Sequence, residues 1–255
     1  MASYLITGTS RGLGLTLATI LAARPEDQVR FIVAAARTKT PALEALINKY
    51  PSRIAFVELE VTSQESIDAA VVKVKQVLGP SSNGGIDILI NNAGIMPFNP
   101  SGIFEATDLM HVLNVNVNGV QLVSAAFLPL LRLGSQKLIF NISSVLGSIE
   151  LFPRFAVFPV STYKVSKAAL NALTVQWSLD LSKSDFTVVA ASPGWLRTDL
   201  GTDQADLSVE EGANGILEIL KGITKADTGK FFDIHVPGWD KTTSFNHYEG
   251  GVLPW

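Results

Sequence analysis

A tyrosine and a lysine four positions apart are the residues of this chain best suited to proton transfer. Tyr163 and Lys167 fall in a helical pattern, so both side chains lie on one face of that helix. A nearby ammonium group favours the phenolate, so we expect Lys167 to lower the pKa of Tyr163 and make it usable as an acid or base near neutrality. Ser144 ends the preceding strand pattern; it could hydrogen-bond a substrate oxygen where negative charge develops, or serve only as a strand-end cap.

A glycine-rich turn follows the first strand pattern and leads into a helix pattern. It reads Thr7-Gly8-Thr9-Ser10-Arg11-Gly12-Leu13-Gly14. In such a turn, backbone N–H groups and the helix N-terminus hold a pyrophosphate, and a Cβ atom at the close-approach points would block it. We therefore predict a dinucleotide site here. The Gly-x-x-x-Gly-x-Gly spacing differs from the commoner Gly-x-Gly-x-x-Gly, and an ordinary strand-to-helix turn is the alternative.

The end of the second strand pattern bears on which cofactor binds. An acidic residue there binds the ribose 2′-hydroxyl of NAD, whereas an arginine accommodates the 2′-phosphate of NADP. This strand ends in Arg37 with no carboxylate in that stretch, and Arg11 adds a second cation in the glycine turn. Together they favour NADP(H) over NAD, although each could be a solvated surface charge. After the third strand, Glu60 and Val61 could lie beside the adenine, or Glu60 could be a helix-start charge.

Asparagines mark two further places where a ligand could bind. Asn91-Asn92-Ala93-Gly94 closes the fourth strand pattern at the carboxyl edge of the sheet, where ligands of such folds bind. Farther on, Asn114, Asn116 and Asn118 follow one another at every second position. At 100° per residue, Asn116 points away from the face that Asn114 and Asn118 share, so at most one or two of them face a site.

Composition excludes several classes of function. The chain has 255 residues, 47% of them apolar, which allows a large core. It has no cysteine, which excludes disulfides and thiol nucleophiles. Its net charge of −3 argues against a clustered basic surface for nucleic acid. His111, His235 and His247 lack metal-ligand spacing, so we propose no metal. The stretch 109–131 lacks charges and is long enough to span a bilayer, but its asparagines would be costly in lipid, and we interpret it as buried helix.

Short apolar runs alternate with longer helical patterns, which is typical of a parallel sheet covered on both faces. The predicted strands are 3–7, 30–35, 54–59, 86–91, 137–142, 187–191 and 230–234. The predicted helices are 13–23, 41–50, 64–78, a long stretch within 106–131, 162–182 and 209–222. Thr62 and Glu65 predict a capping box before the third helix. The tail 237–255 breaks periodicity, so we expect an ordered coil or a subunit contact there. The fold class is α/β, one doubly wound parallel sheet of about seven strands in a single domain over 1–255.

These motifs in this order resemble the short-chain dehydrogenase/reductase family in its single-domain form, over essentially the whole chain. Besides the motifs above, the resemblance includes Asn116-Val117-Asn118-Gly119, and Pro193-Gly194 followed by Thr198. It implies a Rossmann-like fold with Tyr163 transferring the proton, Ser144 holding the substrate oxygen, Lys167 binding the nicotinamide ribose and Asn116 holding a relay water. The cofactor contacts it implies are Gly8, Ser10, Arg11, Gly12, Leu13, Gly14, Arg37, Glu60, Val61, Asn92, Ala93, Gly94, Tyr163, Lys167, Pro193, Gly194 and Thr198.

Two departures from the family pattern concern the adenine and the substrate. Glu60 stands where the family usually has Asp, and the interval from Ser144 to Tyr163 is extended by the segment 150–159. Phe152, Phe155 and Phe158 in this insertion could wall an apolar cleft, or the loop could pack on the core or on a partner subunit. The insertion, the glycine turn and the C-terminal residues look most like carbonyl reductases of the sniffer and C-factor type and related fungal ketoreductases.

The resemblance implies an NADP(H)-dependent carbonyl reductase or alcohol dehydrogenase that interconverts a ketone or aldehyde and an alcohol. The absence of cysteine suits a reducing cytosol, so we expect a cytoplasmic enzyme. Its expected partners are a small-molecule substrate and further copies of itself, as a homodimer or homotetramer, without nucleic acid or membrane. Reduction of an imine or a conjugated double bond is the alternative chemistry. A catalytically idle NADP-binding protein that acts through interaction is the alternative class.

Overall fold

The computed structural model describes residues 1–79, 84–239 and 245–255. Within those ranges, eight strands form one sheet. They are β1 Ala2–Thr7, β2 Val29–Ala36, β3 Ile54–Glu58, β4 Ile88–Asn91, β5 Leu138–Ile142, β6 Thr187–Ser192, β7 Phe231–His235 and β8 Glu249–Val252. Their order across the sheet is β3-β2-β1-β4-β5-β6-β7-β8, so the chain reverses its direction of travel between β1 and β4. This is the doubly wound α/β fold that the alternating patterns predict.

Helices connect the strands. They are α1 Gly12–Ala23, α2 Pro41–Lys49, α3 Gln64–Leu78, α4 Leu109–Leu113, α5 Gly119–Leu133, α6 Ser161–Asp180 and α7 Val209–Gly222. Short 3-10 turns cover Ile103–Glu105, Val145–Gly147 and Lys225–Asp227, and a π-helical turn, Asn114–Asn118, joins α4 to α5. The predicted boundaries of the strands and most helices therefore agree with the structure to within two residues.

Residues 1–93 and 119–140 form one compact unit of the chain. In it, β1 pairs in parallel with β2 on one side and with β4 on the other, and β2 pairs in parallel with β3. The loops that follow β1 and β4 therefore leave the sheet side by side, at the point where the strand order reverses. In doubly wound sheets this is where ligands bind.

Residues 94–118 and 141–255 form the second compact unit. Its last strand, β8, corrects the expectation of a coil for part of the tail, because Glu249–Val252 pair antiparallel with β7. Residues 240–244 of that tail lie outside the described residues. Gly250 and Gly251 have φ of 79° and 89°, a backbone conformation that favours glycine. Because two glycines occupy the middle of this strand, the sequence lacks the apolar alternation that would have predicted it. Backbone pairing, which composition does not reveal, makes this segment a strand.

The long helix begins later than predicted and is not uniformly α-helical. The 3-10 turn Ile103–Glu105 precedes it, and α4 starts at Leu109. The run Leu109–Leu133 is long and apolar enough to cross a membrane, a property that buried helices of soluble proteins share. Val112, Asn116 and Phe127 in this run are at most 1% exposed, and we interpret it as a core helix.

The predicted capping box before α3 is wrong. The N-cap is Ser63, whose side chain accepts a hydrogen bond from the Ser66 backbone N–H at 3.2 Å. The hydroxyl of Thr62 instead donates to Glu60 Oε1 at 3.0 Å. Two adjacent hydroxyl residues offered two possible registers, and the carboxylate of Glu60 binds the first of them.

Candidate active site

Tyr163 lies in the first turn of α6 and is only 7% exposed. Its hydroxyl is hydrogen-bonded to the side chain of Ser144, and burial raises its pKa to about 12. The expectation that Lys167 would lower this pKa is therefore wrong. Removal from water disfavours the charged phenolate, and this effect outweighs the hydrogen bond from Ser144, which favours it. Near neutrality the phenol is protonated and can act as a proton donor.

Ser144 rather than Ser143 faces the tyrosine. Ser144 is extended, with φ −162°, and its side chain also accepts a hydrogen bond from the Leu146 backbone N–H at 3.2 Å. It therefore caps the turn after β5 and contacts Tyr163 at the same time. The hydroxyl of Ser143 points elsewhere, because it donates to Asn171 Oδ1 at 2.6 Å in a buried site.

Lys167 is 5% exposed, and its amine lies 5.6 Å from the centre of the Tyr163 ring. Its Nζ donates to the backbone carbonyl of Ile142 at 2.7 Å. Burial lowers the pKa of Lys167 to about 7, because removal from water disfavours the charged amine. The shift in the pKa of Tyr163 comes from burial and from Ser144, with no contribution from Lys167.

Asn116 sits in the π-helical turn and is 1% exposed. Its Oδ1 accepts from the Ile95 backbone N–H at 2.9 Å, and its Nδ2 donates to the Ile95 carbonyl at 2.8 Å and to Ser166 Oγ at 2.9 Å. Ser166 Oγ in turn donates to the carbonyl of Tyr163 at 2.8 Å. The amide therefore ties the segment after Gly94 to the helix that carries Tyr163, and both of its N–H protons are used.

The other two asparagines of the run lie on an exposed face, as the helical angle predicts. Asn118 Nδ2 donates to Asn114 Oδ1 at 2.8 Å, and both residues are exposed. Asn116 is therefore the inward-facing member of the run.

In the first unit, the glycine turn is shaped by close approach of the backbone. Gly8 has φ +71°, and a Cβ there would lie 2.9 Å from Ala93 Cα. A Cβ on Gly14 would lie 2.3 Å from the Gly8 carbonyl oxygen, and Gly12 begins α1 with φ 55°. The turn is therefore closed to larger residues, which is the property that a pyrophosphate cradle at a helix N-terminus requires.

Asn92 and Ala93 are hydrogen-bonded to this turn. The backbone N–H groups of both donate to Thr7 Oγ1 at 3.0 Å, and Asn92 Nδ2 donates to the carbonyls of Thr7 and Gly8 at 2.8 and 3.2 Å. The Asn92 side chain thus shapes the turn, and both of its amide protons are used by the protein. Thr7, the first residue of the glycine-turn motif, is the acceptor that joins the two loops.

Arg37 and Glu60, predicted to contact opposite ends of the adenosine, form an ion pair with each other. Arg37 Nη1 lies 3.6 Å from Glu60 Oε2, with the two side chains 71% and 35% exposed. The expectation that no acid lies opposite Arg37 is therefore wrong. Glu60 follows β3, which is distant from Arg37 in the sequence but pairs with β2 in the sheet. Exposed pairs of this kind are weak, so Arg37 can exchange the carboxylate for a phosphate.

The remaining predicted cofactor residues lie at the same loop ends. The Ser10 carbonyl accepts from Thr40 Oγ1 at 2.8 Å, Leu13 is buried at the start of α1, and Val61 packs against Gly119. Arg11 is exposed at the N-cap of α1.

Pro193 and Gly194 follow β6 in the second unit. Gly194 has φ +82°, and a Cβ there would meet Leu207 at 2.7 Å. Thr198 Oγ1 accepts from the Gly201 backbone N–H at 3.1 Å. Gly94, in the same unit, is exposed, and a Cβ on it would lie 3.2 Å from Asn116 Oδ1.

The insertion between Ser144 and Tyr163 is partly buried and partly available for contact. Phe155 is 2% exposed and belongs to the core, and its carbonyl accepts from Lys164 Nζ at 2.6 Å. The ring of Phe158 is half-buried and meets Trp195 edge-on at 5.5 Å and Phe245 at 6.1 Å between ring centres. The packed-loop alternative therefore applies to Phe155, and the apolar cleft stays a prediction. Trp195 and Phe245 join this aromatic cluster from distant parts of the chain.

This chain is similar to known short chain dehydrogenases. The family model for short chain dehydrogenases matches residues 3–207. A short chain dehydrogenase of Penicillium aethiopicum is 34% identical, with 91% of this chain and 96% of that protein covered. An NADPH-bound carbonyl reductase from chicken fatty liver superimposes with a TM-score of 0.85 at 33% identity, covering 100% and 99% of the two chains. The carbonyl reductase Sniffer of D. melanogaster gives a TM-score of 0.84 at 28% identity, with both chains covered completely.

Proposed function

The chain belongs to the short chain dehydrogenase family of oxidoreductases, and on that premise we propose that it is an NADP(H)-dependent carbonyl reductase. The observation that carries the proposal is the protonated, buried Tyr163 hydroxyl bonded to Ser144. A phenol in this state can give a proton to a carbonyl oxygen, and a hydroxyl beside it can hold that oxygen in place.

The residues of the glycine turn fit a dinucleotide. A Cβ atom at Gly8 or Gly14 would fill the space beside the backbone, and the side-chain amide of Asn92 donates to the carbonyls of Thr7 and Gly8. Arg37, exposed and held only by a weak ion pair, is available for a 2′-phosphate. The NADPH-bound relative from chicken supports the phosphorylated form.

When bound, NADP(H) supplies the hydride, and the side chains of this protein handle the proton. Tyr163 donates its phenolic proton to the substrate oxygen while Ser144 hydrogen-bonds the same oxygen. Lys167, with a pKa near 7, is matched to returning a proton to Tyr163 near neutrality. Asn116 has used both amide protons on Ile95 and Ser166, so a relay water would be held by an acceptor atom of Asn116.

The aromatic cluster of Phe158, Trp195 and Phe245 favours an apolar or aromatic carbonyl substrate. We further propose that the enzyme works in the cytoplasm as a homodimer or homotetramer, on a small molecule and without nucleic acid or membrane. We propose reduction as the direction because cells keep NADP mainly in its reduced form, and the protonated Tyr163 is the form that a reduction uses.

A panel of aromatic ketones, aldehydes, enones and imines with NADPH tests the proposed reaction. We expect NADPH oxidation with ketones or aldehydes and an alcohol as the product, identified by mass spectrometry. Turnover of imines alone, or saturation of the enone double bond alone, would assign the same fold to a different reduction. NADPH binding without turnover of any compound would instead favour an idle cofactor-binding protein.

A further inference from the structure

The helix that carries Tyr163 is capped by a residue from elsewhere in the chain. The N-cap position of α6 is Val160, with φ −130° and ψ 51°, and no side-chain cap hydrogen bond forms at this position within the described part of the chain. The first N–H groups of a helix need acceptors from outside the helix. Asn99 supplies one, because its Oδ1 accepts from the Thr162 backbone N–H at 3.1 Å and from Thr162 Oγ1 at 2.9 Å.

Asn99 is itself held from several sides. It is 8% exposed, and its backbone N–H donates to the Pro159 carbonyl at 2.7 Å. Its Nδ2 lies 3.3 and 3.4 Å from the two carboxylate oxygens of Asp108, and its carbonyl accepts from the Gly102 backbone N–H at 3.1 Å. The cap is therefore a fixed part of the second unit, bonded both to the end of the insertion and to the start of α6.

The loop that contains Ile95 and Asn99 is linked to α6 on both sides of Tyr163, directly through Asn99 and indirectly through Asn116. Thr162, which precedes Tyr163 and is fully buried, is bonded to Asn99. Ser166, three residues after Tyr163, is bonded to Asn116, which holds the loop at Ile95. Tyr163 therefore lies between two hydrogen-bonded attachments of α6, at Thr162 and at Ser166.

We propose that Asn99 is a positioning residue for the reaction: by capping α6 through Thr162, it holds the Tyr163 hydroxyl against Ser144. The proposal rests on the proposed function, in which Tyr163 is the proton donor. Asn99 does not touch the reacting atoms. Its effect on rate comes through the placement of Tyr163, to which catalysis is sensitive at the scale of one ångström.

Carbon-13 NMR of protein labelled at tyrosine Cζ tests the placement directly, without turnover. The Tyr163 resonance is assigned by its loss in Tyr163→Phe, and Ser144→Ala marks its position when the hydrogen bond is gone. We expect Asn99→Ala to move the Tyr163 resonance toward that position. Thr162→Val, which removes only the 2.9 Å hydroxyl bond, is expected to move it less and in the same direction.

An exchange of the pair provides the rescue. In Asn99→Asp combined with Asp108→Asn, one carboxylate oxygen accepts from Thr162 and the new amide donates to the other. The bonds to Thr162 and one bond between the two exchanged side chains are then restored. We expect this double variant to return the Tyr163 resonance to the wild-type position. A wild-type resonance in Asn99→Ala, or a displaced one in the double variant, would overturn the proposal.

Kinetics with NADPH and an aromatic ketone give the second readout. We expect Asn99→Ala to lower kcat by about 10- to 100-fold with the Kd for NADPH unchanged, and the double variant to recover kcat. Ser208→Ala removes the exposed N-cap of α7 in the same unit and serves as the matched control, with lower stability and wild-type kcat. If Asn99→Ala loses only stability, as this control does, Asn99 is merely structural. If the wild type reduces no carbonyl compound, the proposed function fails, while the NMR result still decides whether Asn99 places Tyr163.

Discussion

At the scale of single residues, Lys167 is buried with its amine bonded to one backbone carbonyl, that of Ile142. Burial lowers its pKa from the ordinary 10.5 to about 7. Between these two values the unfolded chain binds a proton that the folded protein does not. Stability therefore rises with pH across this window, and the cost of burying the charged amine is largest below pH 7.

This linkage predicts a pH dependence of stability that Lys167 carries. Between pH 7 and pH 9 the residue should add about 2 kcal/mol to the free energy of unfolding. We expect urea unfolding to show this rise in the free energy of unfolding for the wild type and no such rise for Lys167→Met. Lys73→Met, at an exposed position on α3, is the control and should retain the rise. An equal rise in Lys167→Met would show that the amine titrates normally.

Arg37 carries a prediction about the choice of cofactor. If it binds the 2′-phosphate, Arg37→Ala should weaken NADPH by about tenfold and leave NADH unchanged, because NADH lacks that phosphate. Glu60→Gln removes the carboxylate 3.6 Å away and should tighten NADPH, since Arg37 is then released from its ion pair. Fluorescence titration with both cofactors measures these changes. Equal losses for NADPH and NADH in Arg37→Ala would remove Arg37 from the phosphate site.

The types of the site residues could be predicted from the sequence, but their ionisation could not. Their spacing predicts that Tyr163 and Lys167 lie on one helix face. The rotation of 100° per residue predicts that Asn116 faces away from Asn114 and Asn118. The pKa of Tyr163 depends on burial, which spacing does not measure. Glu60 meets Arg37 only because β2 and β3 are neighbours in the sheet. Asn99 carries no local signal, because its partner Thr162 is 63 residues away.

At the scale of elements, the glycine turn before α1 depends on the absence of side chains. A Cβ on Gly14 would lie 2.3 Å from the Gly8 carbonyl oxygen, so Gly14→Ala must displace the backbone of the turn. We expect this variant to lose about 1–3 kcal/mol of stability and to weaken NADPH binding, as measured by thermal unfolding with and without NADPH. Gly222→Ala, where a Cβ meets nothing within 4 Å, is the control. A Gly14→Ala protein that binds NADPH normally would contradict the role of the turn.

Elements with strong periodicity could be predicted, and those made by pairing or capping could not. The helix Gln64–Leu78 begins and ends where its apolar pattern does. Strand β8 has a glycine pair in place of an apolar alternation and exists because β7 offers a free edge to pair with. The π-helical turn before α5 follows no pattern of residue types; it coincides with the buried Asn116 and its bonds to Ile95 and Ser166.

At the scale of the whole molecule, the prediction of a single domain stays a prediction. One sheet contains all eight strands of the described residues, while the chain divides into two compact units. If the chain is one domain, we expect calorimetry to give one transition whose calorimetric and van't Hoff enthalpies agree, shifted upward as a whole by NADPH. Two separable transitions, with only one shifted by NADPH, would instead make the two units independent domains.

The proposed activity depends most directly on the phenolic proton of Tyr163. Tyr163→Phe removes that proton and keeps the ring, so the general acid is lost while the other predicted cofactor contacts remain and NADPH still binds. The decisive measurement is kcat for NADPH-dependent reduction of an aromatic ketone by this variant, with the Kd for NADPH determined on the same sample. The proposal predicts a fall in kcat of at least about 100-fold at saturating NADPH. A variant that binds NADPH and reduces the ketone at the wild-type rate would contradict it.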